Sequence, residues 1–269
     1  MKLKTLTTTA ALVLGLTTAT VTQAHRAWML PSATVLSGEN AWVTVDGAVS
    51  NSLFYFEHHP LNLDQLEIRG PRGSQVEPQN KASGKYRSIF DAELALDGTY
   101  TFEIYNQGLF GSYTLDDKRY RWRGTAEELS DIPDDAEDVR LSEVDRRMQF
   151  FVTKGAPTSD SFQATGQGLE LVPVTHPNDL FVGETAEFRF YLDGQPVEGL
   201  EVLLIRDGIR YRDQVEELLL TTDADGQVGI DWQKPGMYWL EVEAERPSHQ
   251  LEGATRRLGY SATLEVLPL

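Results

Sequence analysis

The stretch "SGENAWVTVDG", residues 37–47, contains the pattern that decides the fold class. Apolar and polar residues alternate from Ala41 to Val45, and an Asp-Gly pair ends the run. This alternation is typical of a strand with one buried face, and Asp-Gly is a common turn. Similar runs recur at 53–58, 66–73, 99–106, 186–196, 200–208, 221–232 and 237–245. The sequence therefore predicts an all-β sandwich, and no segment has the period of a long amphipathic helix.

The pattern occurs twice in the same order. The run at 37–47 resembles "VGETAEFRFYLDG" at 182–194. Further on, "DGTYTFEI" at 97–104 resembles "PGMYWLEV" at 235–242. Because the two pairs have nearly the same separation, we interpret them as an internal duplication.

The duplication predicts two tandem immunoglobulin-like β-sandwich domains, over residues 25–155 and 165–269. In each domain a tyrosine, Tyr100 or Tyr238, follows a glycine turn and would enter a late strand as a tyrosine-corner residue does. The alternative is that Gly-x-Tyr before a strand is only a general feature of β proteins.

Residues 1–24 have the features of a cleaved secretory signal peptide. Lys2 and Lys4 precede a short apolar run at 10–16, and Thr22 and Ala24 place small residues before the cleavage point. The run is too short to span a bilayer, which needs ~20 residues. We therefore expect a periplasmic protein without membrane insertion. The chain contains no cysteine, which excludes disulfides and thiolate metal sites.

The charge of the chain limits its partners. The 41 acidic residues outnumber the 24 lysines and arginines, and the net charge is −17. Nucleic acids and anionic membrane surfaces require a basic patch, so neither is an expected partner. The balance suits cations or a basic partner. The acidic run from Asp131 to Asp138 is interpreted as a solvated face.

One stretch, "GLFGSYTLDDKRYRWRG" at 108–124, is basic and aromatic within this acidic chain. Lys118, Arg119, Arg121 and Arg123 interleave with tyrosine and tryptophan. We interpret the pattern as cross-strand stacking of arginine on aromatic rings, in preference to nucleic-acid recognition.

The histidine at the predicted cleavage point is the principal candidate for metal chemistry. Cleavage after Ala24 would leave His25 with a free α-amine and an imidazole Nδ1, which together close one chelate ring. Such nitrogen donors favour Ni²⁺, Co²⁺ or Cu²⁺. A second imidazole would complete the site.

The second imidazole is predicted to come from His58 or His59, at the end of the aromatic run "LFYFEHHPLN". Neighbouring residues of a strand face opposite ways, so only one of the pair is expected to point at a given site. The sequence leaves open which one it is. His176, before Pro177, is interpreted as linker structure, and His249 as a solvated loop residue.

Several motifs together resemble a known family of bacterial exported proteins. They include "AHRAWMLPS", "LFYFEHHPLNLD", "GTYTFEIYNQG", "GLELVPVTHPNDLFVGE" and "PGMYWLEV". The family is a domain of unknown function, often labelled as nickel-uptake related or as the periplasmic component of cobalt/nickel transport. The resemblance covers essentially the whole chain after the signal peptide. It implies a β-sandwich that handles metal near an ABC importer or an outer-membrane receptor, with His25 and His58 as the matched histidines.

Three functions remain to be separated. The first is a periplasmic transition-metal binding protein that uses His25 with His58, His59 or both. The second is a metal-free interaction module that docks a transporter or an outer-membrane receptor. The third, a copper-dependent oxidative enzyme, is disfavoured because no axial tyrosine can be named, so the protein is not expected to be an enzyme. The distance between the chain start and His58 or His59 should distinguish the first two.

Overall fold

The computed structural model describes residues 26–162 and 164–269. Within these residues all regular structure is β-strand, apart from three short 3-10 turns at Pro71–Gly73, Glu127–Asp131 and Ile209–Tyr211. The prediction of an all-β protein is therefore confirmed. None of the described helical segments has the length and apolar character needed to cross a membrane.

The strands follow the chain in two halves. The first half contains Arg26–Pro31 (β1), Val35–Leu36 (β2), Ala41–Ser50 (β3), His59–Pro60 (β4), Leu66–Arg69 (β5), Gln79–Ser83 (β6), Ser88–Leu94 (β7), Gly98–Leu115 (β8), Lys118–Gly124 (β9) and Glu137–Lys154 (β10). The second half contains Leu169–Pro173 (β11), Thr185–Leu192 (β12), Gln195–Pro196 (β13), Glu201–Arg206 (β14), Leu218–Thr221 (β15), Gln227–Asp231 (β16), Gly236–Pro247 (β17) and Thr255–Val266 (β18).

Alternation along the strands sets which face is buried. In β7, Phe90, Ala92 and Leu94 are buried, whereas the residues between them are partly exposed. In β3, Ala41 and Val43 are buried and Trp42 between them is exposed. Successive side chains of a strand point to opposite faces, so each strand presents one apolar face to a core.

The strands form three sheets. The first sheet has the order β1-β3-β7-β6, with β4 also paired to β3. A smaller sheet has the order β11-β12-β13, with β16 paired to β12. The large sheet has the order β15-β14-β17-β18-β10-β8-β5, with β2 on β10 and β9 on β8.

The large sheet runs through both halves of the chain. Its continuity depends on β10 and β18, which pair in parallel from Glu143 opposite Arg256 to Phe150 opposite Thr263. The first half has its core between the first sheet and one part of the large sheet, where Phe102 stacks on Phe150 with ring centroids 4.4 Å apart. The second half has its own core.

A third apolar cluster joins the halves. Trp28 and Ala48 of the first sheet pack with Ile205 and Trp239 of the large sheet. A hydrogen bond also links β1, an edge strand of the first sheet, to the large sheet. The Thr263 hydroxyl donates to the Met29 carbonyl at 2.7 Å. The two halves thus share both a sheet and an apolar interface.

The repeated glycine and tyrosine residues occupy matching positions. Gly98 and Gly236 have φ angles of 138° and 137° at the starts of β8 and β17. The hydroxyl of Tyr100 donates to the Leu96 carbonyl at 2.7 Å, and that of Tyr238 donates to the Lys234 carbonyl at 2.8 Å. Both bonds reach four residues back along the chain. The sequence repeat therefore corresponds to a repeated local geometry.

The aromatic run at 53–58 was predicted as a strand that ends at His58-His59, and this prediction is wrong. Residues 51–58 form turns, Phe54 has a φ of 63°, and His59 begins the short strand β4. Two rings of this run pack against Trp28 in the interface between the halves. The Phe54 and Phe56 rings lie 5.4 Å and 5.6 Å from the ring of Trp28.

The predicted stacking of arginine on rings in 108–124 also differs from the structure. Arg119, Arg121 and Arg123 occupy alternate positions of β9, so they face away from Tyr120 and Trp122. Tyr120 stacks instead on Tyr113 across the β8–β9 pair, with centroids 5.5 Å apart. Among the described residues no arginine of this stretch lies over an aromatic ring.

Candidate functional site

The start of the described chain and β4 lie at the same end of the first sheet. Val49 in β3 pairs with Ala27 of β1 on one side and with His59 of β4 on the other. These three residues form a row across three strands. Since neighbouring strands are ~4.8 Å apart, the Cα atoms of Ala27 and His59 are separated by roughly 10 Å.

Of the predicted metal ligands, His25 lies outside the described residues. His58 and His59 are both exposed. The Nδ1 atom of His59 is 3.1 Å from the carbonyl oxygen of Pro60. Its Nε2 atom lies at the opposite side of the ring, so a ligand can approach it from solvent.

The neighbouring carboxylate of Glu57 belongs to the turn. Its Oε2 accepts a hydrogen bond from the Ser52 amide at 3.0 Å. Partial burial would raise the pKa of Glu57, but this bond and others from Ser52 and Asn51 outweigh it and lower the pKa. Within residues 26–162 and 164–269, no group of three His, Asp or Glu side chains is placed to hold a metal ion. A chelate at this end of the sheet would therefore need donors from outside this part of the chain.

The other two histidines have structural surroundings. Nε2 of His176 lies 2.9 Å from the Thr99 hydroxyl, and the Asn178 amide donates to Nδ1 at 3.1 Å. Burial lowers the pKa of His176, which favours the neutral ring in these bonds. His249 is exposed, and its amide donates to Glu143 at 2.8 Å.

A small cavity lies between the first sheet and the large sheet, beside the start of β1. Its volume is about 150 Å³, and its lining includes Ala27, Leu61, Trp239 and Glu241. The Trp239 indole N–H donates to the Ala27 carbonyl at 3.1 Å. The guanidinium of Arg26 lies 5.6 Å from the centroid of the Trp239 ring. The start of β1 is thereby held against β17.

Among the residues that line this cavity, Glu241 has an unusual pKa. Burial, with the nearby charge of Glu243, raises the pKa of Glu241 to about 7, although Arg146 and Arg26 act in the opposite direction. Glu241 is not recognisable from the sequence, because it occupies a polar position of an alternating strand. Only the packing of the first sheet against β17 covers that position.

A buried ionic network at the junction of the halves was also missed. Glu103 accepts hydrogen bonds from Arg147 at 2.6 Å and from Arg69 at 2.9 Å. Arg147 also donates to the Gln167 carbonyl at 3.0 Å and lies 3.7 Å from Glu170. Burial would raise the pKa of Glu103, but the two arginines outweigh it and lower the pKa. The network connects the first half to the linker and to β11.

Solved structures with related arrangements have little sequence in common with this chain. The D0-D1 domain of intimin has 10% identity and a TM-score of 0.21, over 88% of this chain and 97% of that one. The human OSCAR ligand-binding domain has 12% identity and a TM-score of 0.22, over 90% and 98%. A DUF4785 family protein from Legionella pneumophila has 8% identity and a TM-score of 0.23, over 80% and 51%. No functional argument rests on these likenesses.

Sequence comparison identifies the family. No curated protein matches the sequence. The family described as "Domain of unknown function (DUF4198)" matches residues 22–246. This match includes the histidines at 25, 58 and 59 and extends from the end of the predicted signal peptide into β17. The chain therefore belongs to the DUF4198 family.

Proposed function

We propose that the protein is a periplasmic transition-metal binding protein that acts in the uptake or handling of nickel, cobalt or copper. The metal is held by the α-amine and Nδ1 of His25, exposed by signal cleavage, together with an imidazole from His59 or His58. Nitrogen donors of this kind suit late divalent transition metals. The role is one of binding rather than catalysis.

A single observation carries this proposal, the row of Ala27, Val49 and His59 across β1, β3 and β4. Arg26 is bonded to His25, and consecutive Cα atoms are about 3.8 Å apart. The start of β1 and His59 are therefore neighbours at one end of the sheet, and His25 directly precedes β1 in the sequence. Side chains on strands about 10 Å apart can share an ion when both point along the same face.

The strand period favours His59 over His58 as the second imidazole. Ala27 and His59 are both paired with Val49 and so share a face. His58 precedes β4 and lies in the turn region. The resemblance, in contrast, matched His58, so the two histidines need to be tested separately.

Calorimetric titration with Ni²⁺ and Cu²⁺ tests the proposal on protein whose first residue is verified by intact mass. An additional residue before His25 should weaken binding as much as His25→Ala does, because it converts the amine into an amide. His59→Ala should weaken binding by about tenfold or more, equivalent to about 1.4 kcal/mol. Binding should also weaken as the pH falls, since protons compete for both nitrogens.

His249→Ala is the matched control, because His249 is also exposed but lies in the loop between β17 and β18. It should leave the affinity unchanged. Equal affinities for the processed protein and the protein with an additional first residue would eliminate the N-terminal site.

The alternative is a metal-free interaction module that docks an ABC importer or an outer-membrane receptor. One observation favours it: β15 is an edge strand of the large sheet, and Leu218 and Leu219 on it are 40% and 56% exposed. Exposed apolar edge strands are suited to pairing with another chain. Loss of the N-terminal site in the titration would make this the leading function.

We also infer that residues 25–155 and 165–269 are tandem immunoglobulin-like sandwiches that share the large sheet. The matched geometry at Gly98 and Gly236, and at Tyr100 and Tyr238, supports this reading.

A further inference from the structure

The period of β9 separates its positive charges from its rings. Arg119, Arg121 and Arg123 stand at alternate positions, and all three are exposed. Residues two apart in a strand point to the same face and are about 6.6 Å apart. The strand therefore presents a line of three guanidinium groups on one face, with Tyr120 and Trp122 on the other.

The register of the neighbouring strands adds a fourth arginine to this face. Ser112 of β8 pairs with Arg121 of β9 on one side and with Arg140 of β10 on the other. Paired residues share a face, so Arg121, Ser112 and Arg140 form a row. Arg119 Nε and Nη2 both donate to the Ser112 hydroxyl, at 3.0 Å and 2.9 Å. This fork holds the Arg119 side chain over the face and leaves its other N–H groups available.

These residues line a groove of about 660 Å³. The floor is formed by small residues of β8. At Gly111 the strands approach so closely that a Cβ atom would overlap the carbonyl oxygen of Arg140. We call this surface the arginine groove; it is lined by Phe110, Ser112, Arg119, Arg121, Arg140 and Arg257.

Three of the four arginines of the arginine groove have no ion-pair partner within the described part of the chain. The chain carries 41 acidic residues, yet among the described residues no ion pair involves Arg119, Arg121 or Arg140. Only Arg257 in the groove has a carboxylate nearby, Glu245 at 3.7 Å. Like charges repel, so an anion in the groove would stabilise this arrangement.

We propose that the arginine groove is a binding site for a small multivalent oxyanion that carries phosphate or carboxylate groups. Guanidinium forks bind both groups through paired, charge-assisted hydrogen bonds. The exposed ring of Phe110, which is 45% accessible, provides an apolar contact beside them. The net charge of −17 disfavours long polyanions such as nucleic acids, which would extend beyond the groove. This site is separate from the proposed histidine chelate.

Titration of the purified protein with tripolyphosphate and with citrate tests the site. Arg121→Gln with Arg140→Gln should weaken binding by roughly tenfold or more, because each substitution removes a charge-assisted contact. The affinity should also fall as the salt concentration rises. Both arginines are exposed, so the double variant should keep the thermal midpoint of the parent protein.

Two controls complete the experiment. Arg246→Gln with Arg72→Gln removes the same charge from exposed positions outside the groove and should change the affinity by less than about twofold. Phosphatidylglycerol and phosphatidylcholine vesicles test a lipid headgroup as the source of the phosphate. Groove-dependent binding of the free anions or of the anionic vesicles supports the proposal. No binding of any of these, or equal losses in the two double variants, would overturn it.

Discussion

Glu241 shows how tertiary packing changes the chemistry of a single residue. Its carboxyl group lines the cavity between β1 and β17, where the first sheet covers it. Burial has the largest influence on its pKa, and the charges of Glu243, Arg146 and Arg26 also act on it. A carboxyl group with a pKa of about 7 changes its charge near neutral pH.

The first prediction concerns Glu241→Gln. The folded protein holds the proton up to a pH of about 7, whereas the ordinary pKa of the group is 4.5. Stability should therefore fall as the pH rises from about 4.5 to 7, because the unfolded chain releases the proton first. The variant, which cannot ionise, should be more stable than the parent above pH 7 by about 1–3 kcal/mol, and this difference should shrink towards pH 4.

Urea unfolding at several pH values measures this difference. Glu245→Gln is the matched control, because Glu245 is exposed on the same strand and its charge is not among those that act on the pKa of Glu241. It should show a much smaller dependence on pH. A Glu241→Gln variant that follows the parent at every pH would contradict the assignment.

At the scale of the element, β10 is the strand on which the structure depends most. It pairs with β8 along most of its length, with β18 in parallel and with β2 near its end. It also carries Arg147, which bonds to Glu103 of β8 and to the linker carbonyl of Gln167. The strand therefore connects both halves through backbone pairing and through a buried ionic network.

The second prediction tests this network by substituting two glutamates that both lie near Arg69, the buried Glu103 and the exposed Glu67. Glu103→Gln removes a buried carboxylate from Arg147 and Arg69 and should cost about 3–5 kcal/mol, because it leaves buried charge without its partner. Glu67→Gln removes an exposed partner 3.6 Å from Arg69 and should cost less than about 1 kcal/mol.

Chemical denaturation measures the loss of unfolding free energy in both variants. The lowered pKa of Glu103 adds a pH test with the opposite sign to that of Glu241. Its contribution should be complete above the ordinary value of 4.5 and lost as the pH falls below it. Equal costs for the two variants would mean that the network does not stabilise the fold.

At the scale of the molecule, the two halves are joined too extensively to behave as independent units. They share the large sheet through β10 and β18, and Trp28 and Ala48 pack against Ile205 and Trp239. The groove and the start of β1 both belong to the first half, but each contacts the second. Arg257 lines the groove, and Trp239 bonds to Ala27.

The third prediction is that both halves unfold in one cooperative transition. Unfolding either half would expose the interface cluster and leave one edge of the large sheet unpaired. Far-UV circular dichroism and tryptophan fluorescence should give the same midpoint and the same slope. Trp239→Ala, in the interface, should lower that midpoint without splitting the transition, at a cost of about 3–5 kcal/mol. Two separated transitions in the parent protein would show that the halves are independent.

The sequence alone was sufficient for features that depend on local pattern. Alternation with a period of two identified most strands, because a strand with one buried face must alternate. The repeated Gly-x-Tyr segments anticipated a repeated geometry, because the positive φ at Gly98 and Gly236 and the bonds of Tyr100 and Tyr238 are local properties. The chelate at His25 stays a prediction, since that residue lies outside the described chain.

Features that depend on distant contacts were decided only by the tertiary structure. Residues 53–58 look like a strand, but they form turns in which Phe54 and Phe56 pack against Trp28, which is distant in sequence. The arginines of β9 face away from the rings of their own strand, and register places Arg121 in a row with Ser112 and Arg140. The pKa of Glu241 depends on which sheet covers it. Local pattern sets which way a side chain points along its strand, whereas only long-range pairing and packing determine what it faces.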